Sequence, residues 1–211
     1  NRAGDQYRRR ESDSMTIGLS ALLDEIRAIA LTGLHYSHDD YDRERYERLL
    51  QLTANEYASE SVSPQDLITA FRKDIGYITP KVGCSAAIFN EEGHMLLVKR
   101  SDNGKWGLPA GFCEVNQTPR DNLKREIREE TGLEADVGEL LDVFAVLPGQ
   151  YGQPHSLYAL LFACSVTGGA LTTSHETPIV GYFDHHLITD WHFDHQQRAA
   201  RAYHYWLSNR T

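Results

Sequence analysis

The chain has 211 residues, of which 41% are hydrophobic, and a formal net charge of −9 at pH 7. This length allows one or two domains with a real core, and the acidic balance argues against a general nucleic-acid binder, which needs a basic face. No apolar run approaches the roughly 20 residues that cross a bilayer, and no signal peptide is evident. The three cysteines, Cys84, Cys113 and Cys164, are widely separated. They match no zinc or disulfide pattern, so reduced thiols in a cytoplasmic location are expected.

The N-terminal segment, residues 1–14, is polar and charged and is predicted to be a disordered tail. Arg8, Arg9 and Arg10 are flanked by acids, so a basic nucleic-acid-binding arm is the weaker interpretation. Met15 resembles a natural start, which leaves open that part of the tail was added for expression.

Residues 15–76 are predicted to form a small N-terminal all-α module. The apolar residues of its first segment recur at helical spacing: Leu19, Leu22, Leu23, Ile26 and Ile29. Gly33 is expected to end this helix. A second helix is predicted from about Tyr41 to Tyr57, and Pro64 is expected to open a third, short one.

The remaining segment, residues 77–211, alternates strand signals with helix signals. Short apolar runs predict strands at about 84–89, 95–98, 140–147, 157–166 and 179–183. The turn Asn90-Glu91-Glu92-Gly93 predicts that the first two form a hairpin, and a final helix is predicted from about Asp194 to Leu207. Strands that enclose a helix favour the α/β class, as an α/β/α sandwich with a mixed sheet.

A well-delimited helix is predicted in the middle of this segment. Thr118 is a good N-cap, Pro119 suits the first helical position, and Gly132 suits a left-handed C-terminal stop. Leu123 and Ile127 are four residues apart and are expected to pack inward. The segment from 106 to 114 before the helix is predicted to be a tight loop whose glycines allow close approach to a ligand or ion.

Three carboxylates share one arc of this helix, Glu126, Glu129 and Glu130, within about a third of a circle at 100° per residue. Like charges at these spacings repel each other, so a cation normally lies among them. Hard carboxylate oxygens suit Mg²⁺ or Mn²⁺. A solvated acidic face is the alternative for such a cluster taken alone.

These residues resemble the signature box of the Nudix hydrolases, which reads Gly, five spacers, Glu, seven spacers, Arg-Glu-apolar-any-Glu-Glu-any-Gly-apolar. The matching residues are Gly111, Arg125, Glu126, Ile127, Glu129, Glu130, Gly132 and Leu133. Gln117 departs from the box, because it stands where the family has its first Glu and removes one negative charge. The resemblance implies a Nudix-type α/β/α sandwich after the helical module.

The helical module resembles the N-terminal extension of a Nudix subgroup that acts on CDP-choline and ADP-ribose-like compounds. The resembling stretches are residues 33–37, 41–46 and 76–82. The resemblance implies a pyrophosphohydrolase that uses Mg²⁺, with Mn²⁺ as a substitute, and releases a nucleoside monophosphate and a phosphorylated partner. It implies a small-molecule nucleotide substrate, with no nucleic-acid or membrane partner. Many relatives pair, so the module is a candidate contact surface for a homodimer.

The resemblance also implies roles for individual residues. The implied metal ligands are Glu126, Glu129, Glu130 and the carbonyl of Gly111. Arg125 is expected to orient the acids, so that Arg125, Glu126 and Glu129 belong to the catalytic set. Glu176 matches a loop position that often carries the general base in the family, and an ordinary exposed loop glutamate is the alternative.

Four residues are candidates for substrate contacts. Arg100 and Lys105 flank the loop before the box and are candidates to hold phosphate oxygens. Tyr36 is a candidate to stack on a base if the extension reaches the site, and packing in the module is the alternative. His155 lies at a strand entry, where loops often line a pocket, and a surface position is its alternative.

Other polar residues are predicted to lie at the surface without a role. The histidines of the last quarter, His185, His186, His192 and His195, lack the spacing of a zinc site and are predicted to be surface polar residues. Glu114 is expected to be a surface loop acid, with a contribution to the metal site in place of the missing first Glu as the alternative.

A second class of function stays open, that of a Nudix domain which binds a nucleotide metabolite and regulates another macromolecule. Such sensors usually have eroded boxes and an added basic DNA-binding module. This chain keeps the Arg and Glu residues of the box, and its module is acidic between Asp39 and Glu60. The enzyme is therefore favoured, with hydrolysis of nucleoside triphosphates or of the 5′ end of RNA as weaker options.

Overall fold

The computed structural model describes residues 18–73 and 78–209. The chain divides into two compact units, with the division between Ile78 and Thr79. The tail predicted for residues 1–14, Met15 and the predicted domain boundary at 76/77 lie outside the described residues. Within the described ranges, no helix is long and apolar enough to cross a membrane.

In the N-terminal unit, the described residues 18–73 form three helices, as the apolar spacing predicts. They are α1 (Leu19–Tyr36), α2 (Asp40–Tyr57) and α3 (Pro64–Phe71). Their buried apolar side chains form one core, made of Ala30, Leu31, Leu50, Ala54, Ile68 and Phe71.

The expected end of the first helix at Gly33 is wrong, because α1 continues to Tyr36. A side chain at Gly33 would lie 2.4 Å from the ring of Tyr46 in α2, so this glycine allows two helices to approach closely. The helix ends at Ser37, whose backbone N–H donates to the carbonyl of Gly33. Gly33 therefore serves in helix packing, and the C-cap of α1 is Ser37 instead.

The second unit contains seven strands and two α-helices. Its elements are β1 (Lys81–Ala87), β2 (Met95–Lys99), β3 (Trp106–Gly107), β4 (Ala110–Phe112), α4 (Pro119–Thr131), β5 (Leu133–Val146), β6 (Leu157–Gly169), β7 (Ile179–Phe183) and α5 (His195–Ser208). One sheet has the strand order β4-β1-β6-β5 and is mixed, since β1 and β6 run parallel whereas β1–β4 and β5–β6 are antiparallel. The other sheet is antiparallel, with the order β3-β2-β7.

Strand β2 shows how the sheets separate the two helices. Its side chains alternate between the two faces, as the pleat requires. Leu96 packs in a core with Leu123 of α4, whereas Met95 and Leu97 pack in a second core with Ala199 of α5. The predicted α/β/α sandwich with a mixed sheet is therefore confirmed.

The predicted hairpin is only partly correct. The turn forms, since the backbone N–H of Gly93 donates to the carbonyl of Asn90 and the N–H of His94 donates to the Asn90 side chain. However, β1 pairs along both edges with β4 and β6. Strands β1 and β2 therefore enter different sheets, and only an isolated bridge joins Phe89 to Met95.

Two strand predictions need correction. The segment from 106 to 114 is not only a loop, because β3 and β4 lie within it and pair with β2 and β1. The strand expected from about residue 140 begins at Leu133 as β5, and its pairing with β6 shifts register near Val137 and Leu140. Such irregularities break the alternation of polar and apolar residues that marks a strand in sequence.

Candidate active site

Helix α4 positions the acids at the edge of a core. The Thr118 hydroxyl accepts the backbone N–H of Asp121, and Gly132 ends the helix with a left-handed backbone at φ 75°, as predicted. Leu123 and Ile127 are completely buried and pack α4 against the sheets. The glutamates beside them are therefore held at the boundary between core and solvent.

Glu130 is the most deeply buried of these acids, with 6% of its surface exposed. Its carboxylate accepts the backbone N–H of Ala110 at 2.9 Å, next to β4. Burial raises the pKa of Glu130 to about 8, an effect opposed by the Ala110 hydrogen bond and increased by the negative charge of Glu126. A carboxyl group in this position is stabilised by taking up either a proton or a cation.

Glu126 packs against a strand that has no side chain at the point of contact. A Cβ atom at Gly111 would lie 2.2 Å from the Glu126 carboxyl carbon, so this approach requires glycine. Burial raises the pKa of Glu126, and Arg125 opposes that shift. Glu126 and Glu130, whose carboxyl pKa values are both raised, offer hard oxygens together with the Gly111 carbonyl. This donor set fits a divalent cation.

Arg125 joins the acids of α4. Its guanidinium donates to Glu126 at 2.7 Å, to Glu129 at 2.6 Å and to the Asn122 side chain at 3.0 Å. Glu129 is held on the outer side of this arginine, and 53% of its side chain is exposed. The structure therefore groups Arg125 with Glu126 and Glu129.

A cavity of about 510 Å³ opens beside Glu126 and Glu130. Of the residues predicted for the site, Gly111, Arg100 and Glu176 also line it. Its other lining residues are Gly83, Cys84, Asp102, Ala110, Phe112, Glu114, Gln153, Leu157, Ala159, His192, Phe193, His195 and Arg198.

Several predicted site residues lie elsewhere. Arg125, Glu129, Lys105 and His155 belong to the same unit but are not among the residues that line the cavity. Tyr36 belongs to the N-terminal unit, where it ends α1. The cavity therefore brings together five of the predicted residues and leaves out the other five.

Arg100 and Glu176 lie at one side of the cavity. Arg100 forms an ion pair with Asp102 at 2.8 Å. The backbone carbonyl of Glu176 accepts the N–H of Ser101 at 2.8 Å, which fixes the loop that carries this acid. The Glu176 carboxylate is exposed, and its charge contributes to the raised pKa of Glu130.

Glu114 is exposed, as expected for a surface loop acid, but it also contacts residues of the site. Its side chain is 57% exposed, but it lines the cavity and forms an ion pair with Arg125 at 3.2 Å. It also accepts a hydrogen bond of 3.1 Å from the amide of Gln117. Gln117, which replaces the first Glu of the box, is thus linked to Arg125 through Glu114.

The prediction that the histidines lie at the surface is wrong for three of them. His185, His192 and His195 are buried, whereas His186 is exposed. His195 begins α5, and its Nδ1 accepts the backbone N–H of Leu108 at 3.0 Å. One signal was available in the sequence: His195 and Arg198 are spaced to share a face of a helix.

The described residues match two family models. Residues 79–205 match the model of the NUDIX domain, and residues 19–71 match a model described as a UDP-X-like, N-terminal oligomerisation domain.

Relatives and solved structures extend these matches. YjhB of Bacillus subtilis, named as a candidate ADP-ribose pyrophosphatase, is 39% identical over 160 residues, which cover 75% of this chain and 76% of that protein. The ADP-ribose pyrophosphatase of Methanocaldococcus jannaschii is 30% identical over 70% of this chain and 85% of its own length. The crystal structure of a UDP-X diphosphatase aligns with a TM-score of 0.57 at 27% identity, over 90% of this chain and 94% of that one.

Proposed function

Because the chain belongs to the Nudix hydrolase family, we propose that it is a metal-dependent pyrophosphohydrolase of a nucleoside diphosphate linked to a second group. The reaction breaks the diphosphate bridge and releases a nucleoside monophosphate and a phosphorylated partner. The observation that carries the proposal is the pair of carboxyl groups on a cavity of about 510 Å³, Glu130 buried and Glu126 partly buried. A cavity of this size suits a small molecule.

The proposed cofactor is Mg²⁺, with Mn²⁺ as a substitute. Glu126, Glu130 and the Gly111 carbonyl would hold it on the cavity side, and Glu129 would join them after release from Arg125. When bound, the cation supplies positive charge to the diphosphate oxygens and lowers the pKa of a water molecule. The raised pKa of Glu130 supports this assignment, because a nearby cation offsets the cost of a buried negative charge.

The proposed roles of the other residues follow from their contacts. Arg125 is a positioning residue, since its hydrogen bonds to Glu126 and Glu129 fix both carboxylates. Glu176 is the proposed general base, because its exposed carboxylate lines the cavity and is free to meet a water molecule there. Arg100 is the proposed phosphate-binding cation at the same side.

The proposed substrates are ADP-ribose-like compounds, with CDP-choline-like compounds as the second group to test. The names of the two relatives support the first group, since both refer to ADP-ribose. Lys105 and His155 stay predictions that the cavity lining does not support, and Tyr36 stays a prediction from sequence. The cytoplasmic location stays a prediction from the cysteine pattern.

The N-terminal unit is proposed to pair two copies of the chain as a homodimer. Its matched model is described as an oligomerisation domain. Helix α1 presents apolar side chains at alternating spacings of three and four residues, the pattern of a helix–helix seam. The exposed members are Leu19, Leu22, Ile29 and Tyr36, and Ile26 between them is half-buried.

The test is hydrolysis of a panel of compounds with Mg²⁺, with Mn²⁺ and with a chelator. The panel contains ADP-ribose, CDP-choline, nucleotide sugars, dinucleoside polyphosphates and nucleoside triphosphates. We expect turnover of a diphosphate-linked compound that is lost with the chelator. Nucleotide binding without hydrolysis of any compound would contradict the proposal and favour the nucleotide sensor.

A further inference from the structure

The cavity that holds the acids is also lined by a buried histidine whose protonation pattern the backbone determines. His195 is 5% exposed, and its Nδ1 accepts the N–H of Leu108 at 3.0 Å. A backbone N–H can only donate, so the Nδ1 atom carries no proton. Burial and the positive charge of Arg198 lower the pKa of His195 well below its usual range, so the ring is neutral. Its single proton therefore lies on Nε2.

This Nε2–H faces a second donor. The Nε2 atom lies 3.4 Å from Nη1 of Arg198, which is itself 4% exposed. Because a guanidinium has no acceptor, the two groups cannot form a hydrogen bond with each other. Arg198 donates to the Ser85 hydroxyl at 2.9 Å and to the Asp194 carboxylate. Its Nε is buried and has no hydrogen-bond partner among the residues that the structure describes.

The Nε2 atom of His192 is a third donor. The Asn103 amide oxygen accepts the backbone N–H of Lys105 at 3.0 Å, which identifies the other terminal atom of that amide as the nitrogen. This nitrogen lies 3.0 Å from Nδ1 of His192 and donates to it. Burial and Arg100 lower the pKa of His192 to about 4, so its one proton also lies on Nε2.

These donors and the acids line the same cavity and are linked through one short segment of backbone. The backbone N–H of Leu108 binds His195, and the N–H of Ala110 binds Glu130. These amides are two residues apart, so at most about 7 Å of chain separates them. Glu130, His195 and Arg198 line one cavity of about 510 Å³, so a ligand bound at Glu130 shares that cavity with the donors.

We propose that His192, His195 and Arg198 form a donor wall that binds the oxygens of the substrate's second phosphoryl group, the one adjoining the group attacked at the acids. The proposal rests on the proposed function and names the groups that hold its substrate. The wall offers N–H donors, and the nearby Asp194 carboxylate is already engaged by Arg198. A ligand oxygen that only accepts hydrogen bonds satisfies such a wall, whereas a hydroxyl group would leave its proton without a partner. The planar guanidinium also favours phosphoryl oxygens.

The test is the binding of methylenediphosphonate, a diphosphate analogue without a base, measured by calorimetry in Mg²⁺. In His195→Asn the side-chain oxygen can replace Nδ1 as the acceptor for Leu108, while the Nε2–H is lost. We expect its Kd to rise about tenfold, the scale of a hydrogen bond to a charged group. His192→Asn provides a second variant with the same expected direction, and the exposed His94→Asn is the matched control, with an unchanged Kd.

Nucleoside probes separate phosphoryl recognition from base recognition. Adenosine, cytidine and uridine contain no phosphoryl group, so their binding should be the same in wild type and His195→Asn. A Kd for methylenediphosphonate that stays unchanged in both cavity variants would overturn the proposal. It would also be overturned by no binding of this analogue to the wild type, or by an equal loss of nucleoside binding in the variants.

The binding readout also distinguishes the two proposals from each other. If methylenediphosphonate binding weakens in the variants but no panel compound is hydrolysed, the donor wall stands and the hydrolase proposal fails. If a panel compound is hydrolysed and the variants bind the analogue like the wild type, the hydrolase proposal stands and the donor wall fails.

Discussion

Gly111 and Glu126 are in direct contact across β4 and α4, and a Cβ atom at Gly111 would lie 2.2 Å from the Glu126 carboxyl carbon. The position of this acid at the cavity therefore depends on the absence of a side chain on the facing strand. The adjoining residue of β4, Ala110, uses its backbone N–H to fix Glu130. One short strand thus positions both acids of the cavity.

A side chain at Gly111 tests the contact between this strand and Glu126. In Gly111→Ala the methyl group should displace the Glu126 carboxylate and lower kcat by about 100-fold, the scale of a displacement of about 1 Å at a reacting centre. Steady-state kinetics with the best panel substrate measures the effect. Gly104→Ala is the control, because nothing lies within 4 Å of its Cβ position. It should cost some stability, since φ is 69° there, and leave kcat unchanged. Equal kcat in Gly111→Ala and wild type would contradict the role of the contact.

Glu176→Gln tests the general base. The substitution should lower kcat and leave the Mg²⁺ half-saturation concentration unchanged, because only the carboxylate is altered and the backbone bond to Ser101 is kept. Steady-state kinetics over a Mg²⁺ titration separates the two quantities. The exposed His94→Asn is the control, because His175 lies 3.5 Å from the Glu176 carboxylate and is not independent of it. Full activity of Glu176→Gln would assign the base to another group.

The buried His192 predicts a specific dependence of stability on pH. Its pKa falls from 6.5 to about 4 because of burial and the charge of Arg100, whereas Asp102 opposes the shift. The folded state therefore binds fewer protons than the unfolded state between these values, so stability is complete above pH 6.5 and falls as the pH drops towards 4. The loss at pH 4 is on the order of 3 kcal/mol.

Urea unfolding at pH 7 and pH 5 tests this dependence. His192→Asn should lose less unfolding free energy than the wild type between the two pH values, because the titrating group is gone. The control His94→Asn should behave as the wild type does. A pH dependence in His192→Asn equal to that of the wild type would contradict the assignment.

The exposed apolar seam of α1 predicts the oligomeric state. Leu22→Glu combined with Ile29→Glu should convert a dimer to a monomer, because the two charges would be buried without partners in the seam. Light scattering coupled to gel filtration measures the mass. Gln65→Glu adds a charge at an exposed site of α3 and should leave the dimer intact. A double variant that stays dimeric would place the contact elsewhere.

The sequence predicts best where local chemistry decides the structure. Helix α4 could be delimited to the residue, since Thr118 and Gly132 are local capping signals. Strands β3 and β4 have two and three residues, which are too few to show an alternating pattern in the sequence. They form because they pair with strands that are distant in the sequence. A glycine such as Gly33 is a common signal for the end of a helix, but here the close approach of Tyr46 from α2 requires it.

Within the site, the acids could be predicted and the opposite wall could not. The box fixes Glu126 and Glu130 on one helix, so their proximity follows from the helical repeat. His192 and His195 are brought to the cavity by the end of the chain folding back against Leu108. Their burial depends on that long-range contact, and the sequence shows only that His195 and Arg198 share a face of one helix.

The most direct test of the proposed metal site is the turnover of Glu130→Gln, with the binding of a nucleoside monophosphate measured on the same protein. The amide oxygen can still accept the Ala110 N–H, so the fold should be kept, while the negative charge that would hold the cation is lost. Loss of a single metal-site group should lower turnover by at least about 100-fold and leave nucleotide binding intact. Turnover equal to that of the wild type would contradict the assignment of Glu130 to the metal site, and with it the central claim.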